Sequence, residues 1–390
     1  MENAHDIDSG PAARILAAGR ERLAAGGFRD LTLRPLAEAS GATIAALTYH
    51  FGAKGQLIER LVSAERMADE AAHQAFAARF AGLERLEPAA LAAILEAYLD
   101  DAVARRVTSL IWCELVLAAG VDEEARVLVG PWIAARSDFW RAFFAGRMDE
   151  ADHWWRAAFG YVTDETVHSL AQGDLPDYRL LRRMTLERLA GRGRSLGLSE
   201  RSFFEQVVCR MDPALALPSA SSGDPFSEKA QAIALAAGEV IVADGAQAVT
   251  HRAVGERANV PASSVAYHFR TRLDVVRAGL TVVYRVAQGR LTPRQARGDL
   301  EVFVARGTVS VALAAAREAE LVPYAVDLRR LRGENLRRRL NERLGVSLDL
   351  AAAQAVSIAR LGAILLSQAQ GEPANASDLV EWLVEAAAQN

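Results

Sequence analysis

Apolar residues recur along this chain every three to four positions, as in Ile94, Leu95, Tyr98, Leu99, Ala102 and Val103, and strand-like alternation is nowhere sustained. A period near 3.6 lays such residues along one face of a helix, so the chain is predicted to be all-α. The pattern lapses at Leu217-Pro218-Ser219-Ala220-Ser221-Ser222-Gly223-Asp224-Pro225, whose Ser, Pro and Gly content is that of an interdomain linker.

The pattern also repeats. Residues 12–62 align without a gap on residues 230–280 at a constant shift of 218 positions. Ile15/Ile233, Ala18/Ala236, Ala25/Ala243, Gly27/Gly245, Thr32/Thr250, Arg34/Arg252 and Glu38/Glu256 are identical, as are Tyr49-His50-Phe51 and Tyr267-His268-Phe269. A fainter echo pairs Leu170-Ala171-Gln172-Gly173 with Gln368-Ala369-Gln370-Gly371 at a shift of 198, which makes the second copy the shorter one. The expected division is a head at 10–64 and a helical body at 65–192, an extra helix and linker at 193–226, then a second head at 227–283 and a second body at 284–390.

In the first repeat, Ile15, Leu16 and Leu23 form the apolar face of an opening helix that stops at Gly26-Gly27. Thr32 is placed to cap a short helix over 33–40, with Pro35 in the first turn, where amides lack intrahelical partners. Gly41 permits a tight turn. Thr43 then caps a third helix that sends Leu47 inward and leaves Ile44, Ala45, Ala46, Thr48 and Tyr49 on the outer face and its edges. Such a helix, turn and helix lay the second helix into the DNA major groove. In the second repeat Ser263 and Ser264 take the outward positions, behind Pro261, which suits a first turn.

Thr32-Leu33-Arg34-Pro35-Leu36-Ala37-Glu38-Ala39-Ser40-Gly41, followed by Leu47-Thr48-Tyr49-His50-Phe51 and Lys54, resembles the DNA-binding head of TetR-type bacterial transcription regulators. Thr250-His251-Arg252-Ala253-Val254-Gly255-Glu256-Arg257-Ala258-Asn259-Val260, followed by Val265-Ala266-Tyr267-His268-Phe269 and Arg272, resembles it again. The resemblance implies two helix-turn-helix heads, each followed by a helical-bundle regulatory body, arranged as a pseudo-dimer within one chain. It implies that Tyr49, His50 and Lys54, with Tyr267, His268 and Arg272, lie near the sugar-phosphate backbone, and that the preceding helical residues face base edges. Arg34 and Arg252 join the DNA-binding set. Lys and Arg neutralise phosphate and a tyrosine hydroxyl donates to it, so these positions give affinity more than specificity. Two departures stand out: the family often has a basic or polar residue at the positions of Ile44 and Ala46, and a Tyr at that of Thr48. An apolar face of this kind packs on thymine methyls and so reads A·T steps.

The bodies are too large merely to support heads of some 50 residues. By resemblance each holds a small-molecule pocket, and its last two long helices enter a four-helix bundle; these are expected at 149–171 and 177–191, and at 348–370 and 376–388. Five of the six tryptophans fall in the first body, with Phe139, Phe143, Phe144 and Phe159. A pocket for a hydrophobic or aromatic effector is expected there, lined by Trp112, Trp132 and Trp140 and oriented by Glu114 or His153. Plain core packing is the competing reading. Trp154 and Trp155 are assigned to the bundle. Arg329, Arg330, Arg332, Arg337, Arg338 and Arg339 are read as a solvated face with acidic partners such as Glu334 and Glu342.

Composition narrows the function classes. With 51% hydrophobic and 24% charged residues the chain is that of a helix-rich globular protein. Cys113 and Cys209 have neither CxxC nor metal-ligand spacing, so neither a disulfide framework nor a metal site is expected. No stretch reaches the ~20 uninterrupted apolar residues of a membrane span, and residues 1–10 are unlike a signal peptide; the expected location is cytoplasmic, with no membrane partner. A net charge of −4 puts any DNA contact on local patches, and residues 12–62 supply one, with seven Lys or Arg against four acids. No nucleotide loop, nucleophile constellation or metal pair appears, so no catalytic residue, cofactor or enzyme activity is expected. The expected function is a sequence-specific DNA-binding transcription regulator, a repressor released from a double-stranded operator when a small-molecule effector shifts the spacing of the heads. Self-association into a four-headed dimer stays open. The alternative is a helical adaptor or ligand-binding module in which one or both heads no longer bind DNA.

Overall fold

The opening helix α1 (Pro11–Asp30) starts on a proline, whose missing N–H costs nothing in a first turn, and is broken at Gly27, which adopts φ 74. A computed structural model describes residues 10–192, 197–214, 227–287, 300–344, 348–373 and 376–388. These are predominantly helical and contain no strand. The linker sequence 217–225 lies outside the described residues. In the first half, α1 is followed by α2 (Leu33–Ser40), α3 (Ile44–Phe51) and α4 (Lys54–Ala78). Then come α5 (Pro88–Ala104), α6 (Arg106–Ala119), α7 (Glu123–Phe144), α8 (Ala151–Gln172), α9 (Pro176–Ala190) and α10 (Leu198–Arg210). The second half comprises α11 (Glu228–Asp244), α12 (His251–Ala258), α13 (Ala262–His268), α14 (Arg272–Ala287), α15 (Leu300–Ala315), α16 (Val322–Arg330), α17 (Glu334–Leu344), α18 (Leu350–Gln370) and α19 (Ser377–Ala388).

The backbone repeats with the sequence. α2, α3 and α4 each begin 218 positions before α12, α13 and α14. The break at Gly27 recurs at Gly245, φ 89, and the left-handed turn at Gly41, φ 64, recurs at Asn259, φ 55. Asn is the non-glycine residue that enters this region most readily, because its short side chain bonds locally. The turn geometry is therefore kept where the residue is not.

Among the described residues, helices α8 and α18 make the most extensive packing. They cross at two glycines: a Cβ on Gly362 would fall 2.7 Å from the carbonyl carbon of Gly160. Around this crossing α6 lies on α18 while α15 lies on α8, and α1 packs on α6 as α11 does on α15. The contacts thus follow an approximate two-fold pattern, and one continuous apolar core runs through both halves. By length and composition α18 could cross a membrane, contrary to the sequence expectation that no segment qualifies, but its apolar window is 78% buried within the fold.

The arginine-rich segment departs most from expectation. Arg329 and Arg332 are not on a solvated face: both are buried and paired with acids of α8 in the other half. Arg329 Nε donates to both oxygens of Glu165 at 3.0 Å, and Arg332 Nη2 lies 2.9 Å from Asp164. Tyr178, Thr185 and Gln354 complete the Glu165–Arg329 site. Burial pushes the Asp164 carboxyl up to about 6 despite Arg332. Of the run, Arg337 and Arg338 on α17 have no acidic partner among the described residues, while Arg339 pairs with Glu301 at 2.7 Å.

Candidate nucleic-acid interface and ligand cleft

In the first helix-turn-helix, Ser40 fills the end of α2 by donating to the carbonyl of Leu36 at 2.8 Å, and Gly41 turns the chain. Thr43 caps α3 as expected, its hydroxyl accepting from the Ala46 amide at 3.1 Å. Thr32 makes no such side-chain bond to α2, whereas its counterpart Thr250 accepts from Ala253 N at 3.0 Å. Leu47 and Phe51 enter the core and fix the roll of α3. That roll leaves Thr43, Ile44, Ala45, Thr48 and Tyr49 exposed and Ala46 and His50 half-buried. Thr48 spends its hydroxyl proton on the Ile44 carbonyl. Tyr49 is 85% exposed, and its ring meets His50 edge-on with centroids 5.2 Å apart. A ring so exposed on a helix forgoes the burial that fixes Leu47 and Phe51 beside it.

The second repeat, α12 and α13, presents a similar face. Tyr267 is 83% exposed, with His268 edge-on at 5.2 Å, and Ser263 is exposed beside a half-buried Ser264. Arg34 and Arg252 each lie exposed and pair with the acid one turn on, Glu38 at 3.4 Å and Glu256 at 2.9 Å. Exposed pairs of this kind are worth little, so phosphate can compete for either guanidinium. The start of the following helix differs between the copies. Lys54 is half-buried with no acidic partner among the described residues, while Arg272 is held by both oxygens of Glu318, at 3.0 and 3.2 Å, and by the Ala246 carbonyl. Arg270, which the sequence reading passed over, is exposed two residues earlier.

Two clefts lie behind these surfaces. One, of about 460 Å³, opens in the first body between α4 and α7 and is lined by Asp69, His73, Arg136, Phe139, Phe143 and Arg147, among others. Asp69 is its hub: it accepts from Arg105 at 2.6 Å, and from Arg136 and the Trp132 indole at 2.7 Å each. Despite burial, these donors hold its carboxyl well below the usual carboxylate range. His73 spends both ring nitrogens, on the Asp69 carbonyl at 2.7 Å and the Tyr98 hydroxyl at 2.9 Å, and burial brings it down to about 4. It is neutral at pH 7.

Trp112, Trp132 and Trp140 do not line this cleft. All three are wholly buried behind its wall: Trp112 lies under the Arg136 guanidinium at 3.9 Å, Trp132 bonds Asp69, and Trp140 stacks on Phe144. Indoles of this size contribute most by filling the core between helices, and they reach the cleft through the charged groups they support. The sequence missed Asp69, His73 and Arg136. The four-residue spacing of Asp69 and His73 on a predicted helix was a signal, since it puts both on one face. His153 is far from this site and stacks on Trp382, 5.1 Å between centroids. Trp154 meets Trp382 edge-on.

Glu114 lines the other cleft, about 580 Å³, between the end of α1, α4 and α6 in the first half and the end of α11 and α15 in the second. There Arg317, just beyond α15, pairs with Glu114 at 2.9 Å and donates to Ala24 O, Leu23 O and Gln247. Arg306 of α15 donates to Leu117 O, Val242 O and Ala243 O, and burial lowers it to about 10 against the opposing charge of Asp244. The two arginines therefore cap the carbonyl ends of helices on both sides of the cleft.

Residues 15–61 match the family described as Bacterial regulatory proteins, tetR family. No curated protein matches the chain.

Proposed function

We propose that this chain is a DNA-binding transcription regulator that carries two tetR-type heads in one polypeptide and responds to a small-molecule effector. The observation that carries it is the exposed α3 face, with Tyr49 85% exposed beside His50, within the segment that matches the family. Thr43, Ile44, Ala45, Ala46 and Thr48 are assigned to base edges, and Arg34, Tyr49, His50 and Lys54 to the phosphate backbone. In the second copy Ser263 and Ser264 face bases, and Arg252, Tyr267 and His268 face phosphate. Arg272, committed to Glu318, gives up its expected phosphate role to the exposed Arg270.

The pairing of the two copies within one chain rests on their charges. The first copy supplies the buried acids, Asp164 and Glu165, and the second the buried bases, Arg329 and Arg332. Two first copies facing each other would bury Asp164 and Glu165 without Arg329 and Arg332, a several-kcal/mol penalty, so the first copy selects the second and not itself. One chain then presents one pair of heads, set by the clamp of Arg306 and Arg317.

Regulation runs through α4. This helix carries Asp69 and His73 at the first cleft and starts with Lys54 at the head; fifteen residues at 1.5 Å make a lever of about 22 Å. A ligand that prefers one tilt of α4 biases the head spacing by population shift, and a repressor released by its effector is the outcome we assign. The protein acts in the cytoplasm. The reading is tested by mobility shift on the gene's own upstream DNA across a salt series. Six to ten phosphate contacts predict an affinity loss of about 10³–10⁵ between 50 and 200 mM salt. No sequence-specific shift would leave an adaptor instead.

A further inference from the structure

We infer that the cleft between α4 and α7 takes an apolar organic acid, a single carboxylate on an aromatic or aliphatic body, held by Arg136 and Arg147. The inference rests on the regulator reading only in making that acid the effector; the binding itself stands on the cleft.

The charges in the cleft do not balance. Asp69 is met by two guanidinium groups, the half-exposed Arg105 and the buried Arg136, so one carboxylate serves two cations. Glu70 is committed to Arg66 at 2.5 Å, and His73 is neutral with both nitrogens bonded. Arg136 is 5% exposed and bonds Asp69 through Nε, which leaves Nη1 and Nη2 with no hydrogen-bond partner among the described residues. The Trp112 ring beneath it fixes the guanidinium plane. Arg147 lies over Phe143 at 4.9 Å and has a buried Nη1 with no acceptor. Buried donors are normally satisfied, so Arg147 Nη1 lacks an acceptor, and with the free Nη groups of Arg136 on the same lining the cleft suits a ligand that brings acceptor oxygens and a negative charge.

The rest of the wall is apolar. Phe139, Phe143, Ala77, Ala135 and Ala142 leave room for a ring or short alkyl chain, and about 460 Å³ is within the range of small-ligand sites. The site differs from the expected one in its chemistry: the sequence pointed to indoles as ligand walls, whereas the open face offers cations beside phenyl rings. A neutral aromatic would fill the space and leave the arginine N–H groups unmet.

The test uses the full-length protein and intrinsic tryptophan fluorescence, because Trp112 and Trp132 touch Arg136 and Asp69. Phenylacetate, 4-phenylbutanoate and octanoate are titrated, each beside its own primary amide. At least one acid is expected to saturate at one per chain and to bind at least tenfold more tightly than its amide. Arg147→Gln is expected to weaken that acid at least tenfold at an unchanged urea midpoint, and Arg136→Lys, which keeps a cation beside Asp69, to weaken it as well. Amides that bind as well as the acids, acid affinity untouched by Arg147→Gln, or no saturable binding by any of the three acids would each overturn the inference. DNA binding without ligand is measured separately; its absence would remove the regulator reading and leave acid binding as the cleft's own property.

Discussion

Replacing Arg329 with Met tests whether buried charge holds the two halves together. Both Arg329 and Glu165 are 0% exposed, and the guanidinium meets both carboxylate oxygens at 3.0 Å. With Arg329 gone, Glu165 keeps one hydrogen bond, from Tyr178 at 2.7 Å, and no cation in direct contact. Breaking a buried pair in this way costs about 3–5 kcal/mol, because the remaining charge is stranded in a medium that solvates it poorly. The double replacement Glu165→Leu with Arg329→Met removes both charges and both desolvation penalties, so it is expected to recover most of the loss or to exceed the parent by ~1–4 kcal/mol. Urea unfolding followed by far-ultraviolet circular dichroism and by tryptophan fluorescence supplies the numbers. A single-variant loss under about 1 kcal/mol, or a double variant as unstable as the two single losses summed, would refute the reasoning.

Three further outcomes follow from the same geometry. Tyr49→Phe and Tyr267→Phe should each weaken DNA binding by roughly tenfold, the worth of one hydrogen bond to a charged group, with no change in the unfolding midpoint; a shifted midpoint would place the hydroxyls in the fold instead. Gly362→Leu should destabilise by more than about 3 kcal/mol, since its side chain must displace the Gly160 backbone, and a thermal melt near that of the parent would mean the helices do not cross there. Burial lowers His73 to about 4 and His168 well below its usual value, so their neutral burial contributes stability present above pH 6.5 and lost as pH falls through the folded values. Asp164, raised to about 6, runs oppositely: its contribution is present below pH 3.8 and lost as pH rises through 6. The two histidines outweigh the one aspartate, so stability is expected to fall on acidification from pH 6 to 4.5, and His73→Gln should lessen that slope. A slope unaffected by His73→Gln would contradict the assignment.

The helix boundaries of the first copy were legible because local chemistry sets them. Thr43, Gly41 and Leu47 decide where α3 begins and which way it faces, and residues 33–40 form α2 as the spacing predicted. The αL turn at Asn259 was legible only through its alignment with Gly41. The Arg329 and Arg332 sites were not legible, since a basic run on a helix looks alike whether solvent or a distant acid faces it; Glu165 lies 164 positions away in sequence. The ligand cleft failed for a related reason. Large aromatics concentrate where cores are thickest, so Trp112, Trp132 and Trp140 marked the neighbourhood of the cleft, while Arg136 and Arg147 are among the residues that line it, and the bonds of Asp69 to Arg105 and Arg136 join helices far apart in sequence.

The most direct test of the central claim, that one chain carries a working pair of heads, is the stoichiometry of its DNA complex by sedimentation, with a footprint on the same fragment. One chain per site is predicted, protecting two half-sites centred about 10 base pairs apart, one helical turn. Two chains on each such site, or sedimentation that DNA does not alter, would contradict it.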